Sequence, residues 1–112
     1  MTEHEQQKAF FEWFRQQYPF IVAFAIPNGG HRHPAVGRKL KDEGVLAGVP
    51  DIFVADGRPG LFIEMKLKGN KPTEKQQATI KRLKDAGYNA VVCYSLDEAI
   101  TATNFYLRKN GW

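Results

Sequence analysis

One cysteine in 112 residues leaves no partner for an intramolecular disulfide and no thiolate cluster for zinc. That thiol, Cys93, sits in the apolar run "AVVCY", where a buried, inert sulfur is expected. Long hydrophobic runs are also missing: no apolar stretch approaches the roughly 18 residues of a membrane span. The first twenty residues are dense in charge and glutamine, unlike a secretory leader. These absences point to a cytoplasmic chain with no membrane partner. Repeats, low-complexity segments and linkers are lacking too, so residues 1–112 read as one domain with one core.

What is present is ordinary for a globular protein: 43% of residues are hydrophobic, which argues against disorder. Sixteen Lys and Arg outnumber twelve Asp and Glu, for a net charge of +4. That tilts the chain mildly toward anionic partners such as nucleic acid, although a soluble protein can be basic for no such reason.

Punctuation along the chain sets an element order. Residues 2–18 carry a helix with a broad Phe10, Phe11, Trp13 and Phe14 face, a Thr2–Glu5 capping box at its start and Pro19 at its end. "FIVAFAIP" is a short buried strand, and "NGGHRHP" a loop. "AVGRKLKDEG" reads as a helix with Pro34 in its first turn and Gly44 at its exit. "DIFVA" and "LFIEMKL", joined by "DGRPG", form an antiparallel hairpin. "TEKQQATIKRLKDAG" is a helix capped by Thr73, "NAVVCYS" a buried strand, and "SLDEAITATNFYLRKNG" a last helix capped by Ser95, with Glu98 three residues on. The order is αβ, αββ, αβα, a mixed α/β domain with a central sheet flanked by helices.

The informative stretch is "VPDIFVADGRPGLFIEMKLKG". Strand side chains alternate, so Glu64 and Lys66 share one side, with alpha carbons roughly 6.5 to 7 Å apart. Leu61, Ile63, Met65 and Leu67 face the other side and anchor the strand. The hairpin brings Asp51, at the start of the preceding strand, back toward Glu64. Crowded carboxylates repel unless a cation joins them. Mg²⁺ takes one or two carboxylates with phosphate and water, so Asp51, Glu64 and the Met65 carbonyl suit it. Lys66 would stand beside the ion, placed to act on a proton or to stabilise charge on a phosphate. On spacing alone, a solvated Glu64–Lys66 pair explains the pattern equally well.

At these residues the chain resembles the PD-(D/E)XK nucleases, with Pro50-Asp51 and Glu64-Met65-Lys66 as the signature. It is more specifically similar to the virus-type replication-repair nuclease family, VRR-NUC, from about Thr2 to Leu107. "TEHEQQKAFFEWF", "IPNGGHRH", "EGVLAGVPDIF", "LFIEMK", "TEKQ" and "LKDAGYNAVVCYSLDEAI" carry the resemblance in that order. It implies a restriction-endonuclease-like core and an Mg²⁺- or Mn²⁺-dependent endodeoxyribonuclease acting on branched DNA. Stand-alone members of this size, from phages and bacteria, resemble Holliday-junction resolvases working as homodimers on four-way junctions.

The resemblance makes Asp51 and Glu64 metal ligands and Lys66 the catalytic lysine. It adds a glutamine and a first-helix acid. The glutamine falls on Gln76, which also completes a capping box with Thr73, and the two roles can coexist. Among Glu3, Glu5 and Glu12, helical spacing puts Glu3 on the face of Phe10 and Phe14. The family alignment also favours Glu3, whereas Glu5 serves the cap and Glu12 flanks Trp13. His31 and His33 suit a loop or phosphate contact better than a magnesium site. Asn28, Arg32, Arg38, Lys39, Lys41, Lys68 and Lys71 are the candidate DNA contacts, positioning phosphates without reading sequence. Two rivals remain: a nuclease of the same chemistry acting on RNA or plain duplex ends, and a non-catalytic nucleic-acid-binding module.

Overall fold

A computed structural model of the chain describes residues 1–27, 34–57 and 59–112. Asn28, His31, Arg32 and His33, all expected near substrate, lie outside the described residues. The elements run α1 (Glu3–Gln17), β1 (Val22–Ala25), α2 (Pro34–Asp42), β2 (Ile52–Ala55), β3 (Leu61–Met65), α3 (Glu74–Asp85), β4 (Asn89–Cys93) and α4 (Leu96–Lys109). This is the expected order, with most elements a residue or two shorter at their ends. The four strands form one mixed sheet in the order β1-β2-β3-β4. β1–β2 and β2–β3 are antiparallel, and β3–β4 is parallel, as a strand–helix–strand crossover through α3 requires.

One face of the sheet builds the core. Ala23, Ile52, Val54, Leu61, Ile63, Met65 and Cys93 alternate inward and are almost fully buried. Against them pack Phe10 and Phe14 of α1 and Ala99, Tyr106 and Leu107 of α4. The buried stripe of α1 is Gln6, Phe10 and Phe14, spaced four apart on one helix face. Each fully buried phenylalanine stabilises the fold by about 1.5–3 kcal/mol relative to leaving it exposed. The Cys93 thiol is buried as expected, and that burial pushes its pKa up to about 12.

The caps follow the sequence closely. Thr2 and Glu5 make a reciprocal capping box at α1, with Glu5 Oε1 accepting from Thr2 N–H at 2.9 Å and Thr2 Oγ1 from Glu5 N–H at 3.0 Å. At α4, Ser95 Oγ accepts from Glu98 N–H at 3.1 Å, but the Glu98 carboxylate reaches one residue further back, to Tyr94 N–H at 3.2 Å. The opposite face of the sheet carries α3, whose Ile80 is buried, and it also carries the charges of the motif.

Candidate active site

Asp51 stands immediately before β2. In the β2–β3 register Ile52 faces Ile63, so one step outward Asp51 faces Glu64 directly across the strands. On the other side, Ile26 N–H donates to the Asp51 carbonyl at 2.7 Å, extending the β1 pairing to the same level. The Asp51 carboxylate is itself held: its Oδ2 accepts from Met65 N–H at 2.8 Å. Lys66 N–H points the opposite way, toward the Cys93 carbonyl at 2.9 Å. Alternation along β3 therefore turns the amide and carbonyl of Met65 toward Asp51.

The approach to Asp51 is fixed by a close contact. Gly48 has φ +92°, and a Cβ there would stand 2.8 Å from Lys75 Cγ and 3.1 Å from the Lys75 carbonyl. Only glycine lets the loop lie this close to α3 while adopting a left-handed backbone. Fully buried Pro50 then delivers the chain to Asp51. Glycine 48 was not among the expected site residues. The cue is its place in "AGVPD", two residues before Pro50.

Glu64 is 2% exposed, an unusual burial for a carboxylate. Its Oε2 accepts from Gln76 Nε2 at 3.3 Å and lies 3.8 Å from Lys66 Nζ. Its buried Oε1 has no hydrogen-bond partner. Burial is the largest influence on its acidity, and the negative charge of Asp51 adds to it, raising the pKa to about 8. Lys66 opposes that rise; hydrogen bonding to Asp51 and the charge of Glu3 reinforce it.

Gln76 has two partners at once. Its Oε1 accepts from Thr73 N–H at 2.9 Å and its backbone N–H donates to Thr73 Oγ1 at 3.1 Å, completing the α3 capping box. Its Nε2 is then left to bind Glu64. The cap and the contact with Glu64 coexist in one side chain, as the sequence allows.

Of the three first-helix acids, Glu5 is exposed and taken by its cap, and Glu12 is exposed. Glu3 is half-buried, and its charge reaches Glu64. One turn on, Gln6 is buried with its Oε1 unpartnered, a polar core residue that helical spacing alone did not single out. Of the candidate substrate contacts, Arg38, Lys39, Lys41, Lys68 and Lys71 are all exposed, on α2 and on the segment after β3.

The donors suit a hard divalent ion. Among the described residues, the groups gathered are carboxylate oxygens and a backbone carbonyl, without soft ligands, and the orphaned Glu64 Oε1 needs a cationic or hydrogen-bonding partner. Among the described residues, no three His, Cys, Asp or Glu side chains cluster tightly enough to cage an ion by themselves. Two carboxylates completed by carbonyl and solvent oxygen would suit a hard divalent cation.

A family model described as the VRR-NUC domain matches residues 1–97. A solved structure titled "VRR_NUC domain protein" is similar over 96% of this chain and 89% of its own, with 31% sequence identity and a TM-score of 0.76. No protein of curated function matches significantly. The family model spans the first helix, the paired acids, the lysine and the capped glutamine, and the fold is shared with that structure, so the chain belongs to the VRR-NUC domain family of nucleases.

Proposed function

We propose that this chain is an Mg²⁺- or Mn²⁺-dependent endodeoxyribonuclease selective for branched DNA, resolving four-way junctions as a homodimer. The observation that carries this reading is the crowding at the end of β3: a buried Glu64 with an orphaned oxygen, Asp51 directly across the strands, and Lys66 Nζ at 3.8 Å. Asp51, Glu64 and the Met65 carbonyl would hold the ion, with Glu3 as a further oxygen donor. A bound divalent ion would polarise a phosphate oxygen and activate water as the nucleophile.

The protein's own groups then have separate tasks. Met65 N–H fixes the orientation of the Asp51 carboxylate. Gln76 holds one oxygen of Glu64, and the other, without a hydrogen-bond partner, would be left for the ion. The Lys66 ammonium, largely shielded from water at 13% side-chain exposure, stabilises the charge that builds on the phosphate. Arg38, Lys39, Lys41, Lys68 and Lys71 position the DNA through its phosphates. Among its described residues one chain presents one such site. Paired cuts in a junction therefore need two copies, and a twofold dimer matches a roughly twofold substrate.

The test is a cleavage panel: four-way junction, linear duplex and single strand, with Mg²⁺ or Mn²⁺. The junction should be cut preferentially, and Lys66→Ala should lower the rate roughly 10³-fold. Cleavage unaffected by Lys66→Ala sinks the reading. Cleavage confined to RNA or plain duplex ends redirects it to a nuclease of another structure. Metal affinity unchanged by Asp51→Asn in calorimetry leaves a non-catalytic binding module.

A further inference from the structure

The carboxylates occupy one row of the sheet, and the next row on the same face is aromatic. The register pairs Phe24 with Phe53 and Phe53 with Phe62, so three phenylalanines lie side by side across β1, β2 and β3. Asp51 and Glu64 are two residues along from Phe53 and Phe62, on the same side, roughly 6.5 to 7 Å away. The ring centroids are 5.7 Å apart for Phe24–Phe53 and 4.5 Å for Phe53–Phe62. Tyr88, entering β4, adds a fourth ring 5.5 Å from Phe62.

The row is exposed at its two ends, Phe24 and Tyr88. Gly60 is buried at the foot of β3, and a Cβ there would stand 2.3 Å from Phe53 Cζ and 2.6 Å from Cε1. The Phe53 ring thus lies across the bare glycine backbone. Phe24 is 45% exposed and Tyr88 43%, while Phe53 and Phe62 are half-buried. Phe10 and Phe14 of the core, by contrast, are fully buried.

We infer that Phe24, Phe53, Phe62 and Tyr88 form a stacking platform for an unpaired nucleotide of the DNA whose phosphate occupies the Asp51–Glu64 row. The inference rests on the nuclease reading and deepens it. Bases at a branch point or in a flap unstack at low cost, and every base has an aromatic face that such rings can hold. The platform therefore supplies a reason for branched substrates that phosphate contacts alone do not. A second copy is the rival occupant of an apolar sheet face. A twofold interface here would press the carboxylate row of each copy toward its mate and seal it from substrate, which favours the nucleotide.

The test is binding without catalysis, by fluorescence anisotropy in the absence of divalent ions. The probes are an oligothymidine of about 12 nucleotides and a blunt duplex of similar length. The pair Phe24→Leu with Tyr88→Leu keeps apolar surface and removes two exposed rings. It should weaken single-strand binding about tenfold and leave duplex binding within about twofold. Phe24→Trp in the Tyr88→Leu background should restore most of the loss, and thermal melting checks that each variant is folded. Unchanged single-strand affinity, or no single-strand binding by the parent chain, overturns the proposal. So does an equal fall for both probes. A drop from dimer to monomer by sedimentation, with single-strand affinity intact, assigns the face to a second copy. Failure of the nuclease reading is separate, since it is scored by Lys66→Ala in cleavage.

Discussion

The two faces of β3 are made by one five-residue strand, and they obey opposite rules. Leu61, Ile63 and Met65 are buried against α1 and α4, where each side chain is apolar and every contact lowers the free energy of folding. Glu64 on the other face is just as buried, yet burial there raises its pKa to about 8 and leaves one oxygen unpartnered. Equal burial therefore has two meanings. On the core face it stabilises the fold, and on the other it disfavours the charged form of a carboxyl group. Such stored cost is expected where function needs it.

Two substitutions on adjacent residues separate these meanings most strongly. Glu64→Gln keeps size and polarity but cannot hold a divalent ion as a carboxylate does. Cleavage should fall by about 10³-fold or more, equivalent to roughly 4 kcal/mol of barrier, while the chain remains folded and melts no lower. Ile63→Ala should do the reverse. Removing a fully buried side chain costs about 3 kcal/mol of stability, read in urea denaturation. Enough folded protein should remain to cut at near-normal rate per folded molecule. If Glu64→Gln destabilised the chain as much as Ile63→Ala, the contrast between the faces would be wrong.

The same contrast sets a pH dependence. The folded pKa of Glu64, about 8, lies above its ordinary value of 4.5. Between those values the folded chain holds a proton that the unfolded chain has released. The stability tied to this proton is therefore fully present below about pH 4.5 and is lost as pH rises through about 8. The loss should be on the order of 5 kcal/mol without divalent ions and should vanish in Glu64→Gln. Saturating Mg²⁺ should flatten the slope as well, because an ion favours the ionised carboxylate, and proton release on binding at pH 7 is measurable by calorimetry. A slope that persists in Glu64→Gln would place its origin elsewhere.

Much of this was legible in the sequence. Element order followed from hydrophobic period and from caps at Thr2, Thr73 and Ser95, which are local signals. The hairpin gave the meeting of Asp51 with Glu64, because antiparallel return is a local consequence of a short turn. Contacts between distant segments were harder to read. Burial of Gln6, the reach of Glu3 to Glu64 and the second bond of Gln76 all depend on how helices settle on the sheet. The aromatic row is a different case. Its alternation is as plain in "DIFVA" and "LFIEM" as that of the charges: Phe53 follows Asp51 by two residues and Phe62 precedes Glu64 by two, so both rings share the carboxylates' side of the sheet. Gly48 and Gly60 were invisible for a physical reason: what they permit is the approach of Lys75 in one case and of the Phe53 ring in the other.

Gly48 offers an intermediate effect on the site face. Gly48→Ala adds a Cβ 2.8 Å from Lys75 Cγ at φ +92°, so both strain and overlap oppose it. A loss of about 2 kcal/mol is expected, with cleavage falling as well because the loop that delivers Asp51 must shift. Normal stability and activity in this variant would mean that the loop is not what sets the Asp51 position.

The smallest effect is the most discriminating, because it compares two capping boxes of one design. Thr2 with Glu5 and Thr73 with Gln76 close the same pair of hydrogen bonds at the starts of α1 and α3. Each acceptor removed, by Glu5→Ala or Gln76→Ala, should cost no more than about 1 kcal/mol of stability. Only Gln76 also donates to Glu64, at 3.3 Å. Glu5→Ala should leave cleavage unchanged, whereas Gln76→Ala should lower it about tenfold and shift the pH profile upward, since a carboxylate that loses a donor is harder to ionise. Gln76→Glu separates the two jobs further. It can still accept from Thr73 N–H and so keep the cap, but it sets a carboxylate against Glu64 where the amide donated. Its stability should stay near that of the parent while its activity falls below that of Gln76→Ala. Activity in Gln76→Glu equal to the parent would reduce Gln76 to a cap and make the two boxes equivalent.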